Sequence, residues 1–208
     1  MIAVAPRAYA MGRRAETSSE TRQRILDEAV ALYRERGVAA TTLTAVADRA
    51  DVARGTIIHH FGSASGLLSA VLGWVVETLE MPDERVLEGI EDPNERVRVF
   101  MESTIDLMDR SQAWWSVFEG EMQRPELQDQ EASYWAAFER FMAAALGPDL
   151  ASRPKARATL LSLTHPATVG TFMWAFERAG ISRPEARTTV VGIAVDALRR
   201  LADEKPGE

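Results

Sequence analysis

The stretch from Thr41 to Phe61, TTLTAVADRADVARGTIIHHF, constrains this chain more than any other, because its pattern accommodates two short helices and a sharp turn between them. Val46, Ala47 and Ala50 fall at helical spacing behind Thr42, whose hydroxyl can accept an orphan amide hydrogen bond as an N-cap. A second helix starts near Arg54. Ala50-Asp51-Val52 makes the turn, and Val52 and Ile57 are the apolar residues that clamp the pair together. Helices joined in this way form a helix-turn-helix, whose second helix enters the major groove of DNA with its N-terminal residues toward the base edges. Arg54, Gly55, Thr56, Ile58 and His59 would then face the bases.

An amphipathic helix precedes this unit. Ser18 or Ser19 opens it, Ile25, Leu26, Ala29, Leu32 and Tyr33 give its apolar stripe, and Gly37 closes it. Packed across the helix-turn-helix, it would complete a three-helix domain. Its Arg22, Arg24, Arg34 and Arg36 read mostly as a solvated face, with an early Arg able to touch phosphate.

The whole chain is acidic, with a formal net charge of −7, which by itself argues against a nucleic-acid partner. Its distribution says otherwise. Residues 1–69 carry nine Arg against seven acids, whereas the fifteen remaining bases face twenty-four acids in residues 70–208. A mildly basic N-terminal part, with Arg7, Arg13 and Arg14 on its arm, suits phosphate binding.

Read together, TRQRILDEAVALYRERG, TTLTAVADRADVARGTIIHHF and a helix opening with GLLSAVL resemble the TetR family of one-component bacterial transcriptional regulators. The likeness runs from Thr21 to Leu72, through Ile25, Ala29, Gly37, Thr42, Ala47, Val52, Gly55, Thr56, His60, Phe61, Leu67 and Leu68 in order. Four positions depart from the family pattern. Asp51 stands where the turn usually has Gly, Ala53 where a Ser commonly caps the recognition helix, Ile58 where Tyr is usual, and Ala64 where relatives carry a phosphate-binding Lys.

The resemblance implies an all-α fold of about nine helices, a three-helix DNA-binding domain followed by a helical bundle for ligand binding and dimerisation. The corresponding boundaries are a disordered arm over residues 1–18, the helix-turn-helix domain over 19–65 and the bundle over 66–208. Arg54, Thr56 and His59 are the base-edge candidates, and Gly55 lets the backbone approach closely. Thr42 and His60 look like phosphate contacts, with a role as cap alone the alternative for Thr42, and Leu43 lies where relatives often place a base-contacting side chain. Without DNA, these residues are a solvent-facing turn.

The rest of the chain alternates apolar helices with capping signals. A long helix from Gly66 carries Leu68, Val71, Leu72, Val75 and Leu79, and Met81-Pro82 ends it. Asp92-Pro93-Asn94-Glu95 reads as an N-cap with Pro in the first turn. The helix it opens is followed by a short aromatic segment, and Pro125 begins another helix that Gly147-Pro148 closes. Arg153-Pro154 and Arg183-Pro184 open the last two, with Ser182 as a cap, and Pro166 should kink or split the first of them. Apolar residues on more than one face of the final helix suit a second neighbour from another subunit. In the resembled family these two helices from each protomer form a C2 interface, which would set two recognition helices about 34–36 Å apart or farther.

Trp114, Trp115, Phe118, Met122, Trp135, Phe138, Phe172, Met173 and Phe176, with Met108, are numerous enough to line an apolar pocket. Most aromatic stripes of this kind are simply core. Asp106, His165 and Thr168 are candidates to orient a ligand there, with His165 alternatively a satisfied interior histidine.

Cysteine is absent, so disulfides and thiolate sites are excluded, and three histidines are too few and too badly spaced for a metal cage. HExxH, GxxxxGK and GxSxG do not occur. Neither enzyme activity, cofactor nor metal is therefore expected. No window offers roughly 18 uncharged apolar residues, and we expect a soluble cytoplasmic protein with no membrane partner. The expected function is a homodimeric repressor released from double-stranded operator DNA by a small apolar or aromatic effector. Two alternatives stay open: a related ligand-binding or protein-interaction module with weakened DNA binding, and a small helical enzyme using Asp106.

Overall fold

The computed structural model describes residues 7–118, 121 and 124–204. Among them the chain forms nine α-helices: α1 Arg7–Arg36, α2 Leu43–Arg49, α3 Arg54–Phe61, α4 Ala64–Thr78, α5 Pro93–Phe118, α6 Gln128–Ala151, α7 Pro154–Leu163, α8 Pro166–Arg178 and α9 Arg183–Asp203. Two short 3-10 turns, Glu84–Leu87 and Pro125–Leu127, join them. The all-α architecture is as expected.

Two compact units divide the described residues, one of those within 7–78 and 113–129, the other of those within 79–112 and 130–204. All of α4 therefore belongs with the helix-turn-helix, where the sequence reading ends the first domain at residue 65.

In the first unit α1 supplies the stripe expected of it. Ile25 and Ala29 are fully buried, and Leu26, Leu32 and Tyr33 nearly so. Against them pack Val46 and Ala47 of α2, Ile57 of α3, and Leu67, Leu68, Val71, Leu72 and Val75 of α4. Gly37 ends α1 with φ +80, its N–H donating to the Tyr33 carbonyl at 2.9 Å. The helix begins at Arg7, where the reading puts a disordered arm up to residue 18 and an opening at Ser18 or Ser19. Ala, Arg, Met and Glu dominate Arg7–Ser18 with only Gly12 against them, so no residue there stops a helix.

From α5, Val117 and Phe118 are buried in this unit, and Leu127 of the second 3-10 turn is fully so. Trp114 meets Trp74 edge to face, centroids 6.0 Å apart, and the Arg34 guanidinium lies 5.5 Å from its ring centre. Glu121 is buried and pairs with Arg124. Burial, reinforced by the Glu121 charge, pushes the neighbouring Tyr33 phenol up to about 12.

The second unit is a single apolar core. Phe100, Met101 and Ile105 of α5 meet Phe138, Phe141 and Met142 of α6, then Leu160 of α7, Val169 and Met173 of α8, and the long inner face of α9. The rings of Phe100 and Phe141 approach to 4.7 Å.

Local signals behave mostly as their chemistry requires. Asp92 accepts the Asn94 N–H at 3.0 Å and caps α5. Pro166, which has no N–H, splits α7 from α8 as expected. Ser182 precedes α9 without a side-chain capping bond, contrary to expectation. The aromatic residues after Met108 are not a separate segment but the continuation of α5 to Phe118. Gly147, at φ 70 and ψ 168, is non-helical and interrupts α6 just before Pro148, where the sequence places a helix end.

The broad apolar surface of α9 is also explained within one protomer. Val190, Val191, Ala194, Val195, Leu198 and Leu201 are all buried, because α9 packs against both α7 and α8. A second subunit is not needed to cover them, which corrects the reasoning from two apolar faces.

Candidate nucleic-acid interface

The helix-turn-helix is held by contacts that fix where α3 points. Thr42 accepts the Ala45 N–H at 3.1 Å, capping α2 as its sequence position suggests. At the other end Val52 N–H donates to the Ala47 carbonyl at 3.0 Å and Asp51 N–H to that of Asp48 at 3.4 Å. This is the paired bonding of a Schellman motif, with Asp51 taking the left-handed position at φ 50. Ala53 begins α3 with no side-chain cap, so the first amides of α3 lack that partner.

Charged residues of α1 brace the turn from behind. Arg24 Nε donates to the Ala50 carbonyl at 2.9 Å, and Arg49 on α2 reaches Glu28 at 2.7 Å and Glu35 at 2.6 Å. Arg24, expected on a solvated or phosphate-touching face, is thus a brace of the turn, and Arg49 joins it. Their partners lie up to 26 residues away, a distance that helical periodicity does not address.

Held in this way, α3 turns Ile57 fully inward and exposes Arg54, Gly55, Ile58 and His59. Thr56 and His60 are half-buried at the margins of that face. Arg54 forms no ion pair with any described residue, which leaves its guanidinium for a ligand. A Cβ added at Gly55 would meet nothing within 4 Å, so nothing inside the protein requires glycine there. Thr42 is exposed and Leu43 half-buried at the start of α2. The predicted DNA-contacting residues thus fall on the two short helices of one unit.

His60 stacks edge-on between His59, 5.4 Å away, and Phe61, 6.3 Å away, and the Arg22 guanidinium lies 4.9 Å from the Phe61 ring centre. Partial burial, and then the charges of His59 and Arg22, lower the His60 pKa below its ordinary value.

The residues expected to meet an effector are not gathered in the same way. Trp114 and Phe118 belong to the first unit, and the others with described side chains belong to the second. Phe138 and Met173 are core, and Met108, Phe172 and Phe176 pack against that core. Trp135 is 42% exposed. Asp106 pairs with Arg187, whose hydrogen bond holds the carboxyl below the usual carboxylate range, and Arg187 also donates to the Glu102 carbonyl at 3.0 Å. His165 is not interior. It is exposed and caps α8, Nδ1 accepting the Ala167 N–H at 3.2 Å, while Thr168 N–H donates to its carbonyl at 2.9 Å. The side chain of Trp115 and all of Met122 lie outside the described residues. An open cleft of about 570 Å³ lies in the second unit, lined by Glu80, Met81, Pro82, Asp83, Arg85, Val86, Ser103, Asp106 and Arg110. Asp106 alone of the expected effector residues lines it; Phe138 and Met173 lie in the core instead, with Phe172 and Phe176 packed against it. Among the described residues no single helix is long and apolar enough to cross a membrane.

Comparison with known proteins bears on the same region. Residues 25–71 match the model of the bacterial regulatory proteins of the tetR family. The HTH-type transcriptional regulator BetI 1 of Chromohalobacter salexigens is 30% identical over 115 residues, 51% of this chain and 55% of that protein. The HTH-type transcriptional repressor KstR2 of Mycobacterium tuberculosis is 26% identical over 114 residues, 55% of this chain and 57% of that one. The chain thus spans just over half the length of these curated relatives. Among solved structures, a Rhodococcus sp. protein assigned to the TetR-family transcriptional regulators superposes with a TM-score of 0.59 at 25% identity, covering 86% of this chain and 98% of that one. A braced helix-turn-helix with its second helix exposed and the match over these residues show that residues 25–71 form a domain of the tetR family of bacterial regulatory proteins, within an all-α architecture that the Rhodococcus protein shares.

Proposed function

We propose that this protein is a homodimeric transcriptional repressor that binds operator DNA through α3 and is released by a small apolar or aromatic effector. The observation that carries the DNA-binding reading is the outward face of α3, where Arg54, Gly55, Ile58 and His59 are exposed around a fully buried Ile57. Arg54 and His59 supply donors for base edges, and Thr42 and His60 stand at the flanks as phosphate contacts. Dimerisation through α8 and α9 is supported by Trp174, 62% exposed on α8, and Ile193, 37% exposed on α9. An effector acts by favouring one of two conformations, so it must bind them with different affinity. The cytoplasm is where such a regulator meets its operator.

The uncapped start of α3 at Ala53 favours a second reading, a related ligand-binding module whose DNA affinity has weakened. Selection of bound fragments from sheared genomic DNA with the purified chain, near 0.15 M salt, separates the two. Recovery of a pseudo-palindromic sequence supports the repressor. Recovery of no sequence above background removes it and leaves the module.

A further inference from the structure

If α3 is a recognition helix, as proposed above, its exposed face also limits which bases it can read. Arg54 and Ile58 stand four residues apart and share one strip of the helix. Ile57 is the fully buried residue of α3, whereas its neighbour Ile58 is 39% exposed. A single exposed aliphatic side chain is ordinary on a protein surface. The surroundings of Ile58 make it informative. Arg54 lies one turn before it, Gly55 and His59 beside it, and α3 contains no acidic residue.

Base edges in the major groove offer hydrogen-bond donors and acceptors, with one apolar group, the C5 methyl of thymine. An isoleucine pressed against a donor or acceptor would strip it of water without replacing the bond. Against a thymine methyl it buries apolar surface on both sides. Four helical residues advance about 6 Å and successive base pairs about 3.4 Å, so neighbouring turns of α3 address bases about two steps apart. We propose that Ile58 is a specificity-determining residue that reads a thymine methyl, and that with Arg54 on guanine it selects half-sites in which a thymine lies about two base pairs from a guanine.

The test starts from duplexes selected by the full-length protein out of a randomised library. Each thymine of the recovered half-site is then replaced by deoxyuridine, which removes the methyl and leaves pairing intact. One thymine, about two base pairs from a guanine, is expected to give roughly three- to fivefold weaker binding on replacement, the size of one buried methyl. Ile58→Ala should bind the thymine duplex weaker by a similar factor and lose nothing more on deoxyuridine, while Ile58→Val should keep most of the discrimination. Circular dichroism of both variants checks that the exposed position has not disturbed the fold. Selective binding that is indifferent to every deoxyuridine, or a deoxyuridine effect that persists undiminished in Ile58→Ala, overturns the inference and leaves the repressor reading standing. Failure to recover any sequence overturns that reading, and the inference with it.

Discussion

The main chain of Gly66, in the first turn of α4, lies against the carbonyl oxygen of Phe61 at the end of α3, so closely that a Cβ on residue 66 would stand 1.9 Å from it. No side chain can rotate to make room, since the obstructing atom belongs to the backbone. Gly66→Ala must therefore push α4 away from α3 and disturb the packing around Leu67 and Ile57, both fully buried. We expect a loss of about 2–3 kcal/mol, an overpacking effect in a tight core. Thermal melting followed by circular dichroism checks this, and a melt indistinguishable from the parent would contradict the close approach.

Gly55 is the opposite case. It lies inside α3, and an added Cβ meets nothing within 4 Å. Alanine there should raise stability by up to about 1 kcal/mol through helix propensity alone. The same methyl stands on the face offered to the base edges, so operator affinity should fall. Stability and affinity moving in opposite directions is the signature to measure, by melting and by fluorescence anisotropy on one preparation. Unchanged affinity would remove Gly55 from the interface.

Asp51 and Gly180 do the same job at two helix ends. At each, a left-handed residue, φ 50 for Asp51 and φ 79 for Gly180, lets the next amide reach back to close a Schellman motif. Asp carries the steric penalty that glycine avoids, on the order of 1 kcal/mol, partly offset because glycine is freer in the unfolded chain. Asp51→Gly is accordingly expected to stabilise the first unit by about 0.5–1 kcal/mol, read from the urea midpoint. A lower midpoint would mean that the Asp51 side chain itself supports the turn.

These positions also show what kind of information the sequence carries openly. Thr42 as a cap, Gly37 as a terminator, Asp51 in a strained turn and Pro166 as a helix break are each decided by the chemistry of one residue and its immediate neighbours. The outward set on α3 was legible for the same reason, since eight residues of helix leave little choice of face once Ile57 is buried. What the pattern did not contain was partnership across the chain. The braces from Arg24 to Ala50 and from Arg49 to Glu28 and Glu35, and the close approach of Gly66 to Phe61, depend on which elements meet. The aromatic residues after Met108 failed for a related reason. Phe138 and a pocket-lining phenylalanine have the same periodicity, and only packing tells them apart.

Trp174 on α8 offers a test of assembly. It is 62% exposed, with the Arg178 guanidinium 5.8 Å from its ring centre, so it contributes little to its own protomer. Trp174→Glu should leave the thermal melt of the fold nearly unchanged while placing a charge in the proposed dimer face. Sedimentation should then report a monomer, and operator affinity should drop by at least tenfold because the two half-sites are no longer bound together. A variant that stays dimeric would move the interface off this surface.

His60 links the proposed phosphate contact to pH. Partial burial, then His59 and Arg22, keep its folded pKa below the ordinary value, so the unfolded chain takes up the proton first. Its contribution to stability is present above the unfolded pKa and is lost as pH falls through the folded one. A DNA phosphate beside the ring acts in the other direction, favouring the imidazolium, so binding should take up a proton and operator affinity should rise as pH falls through the same window. The free protein is thus expected to become less stable on acidification while its complex tightens. His60→Gln should flatten the part of both trends that belongs to this ring. Affinities measured at constant salt and several pH values decide the matter, since a His60→Gln variant with the parent's pH profile would take His60 out of phosphate contact.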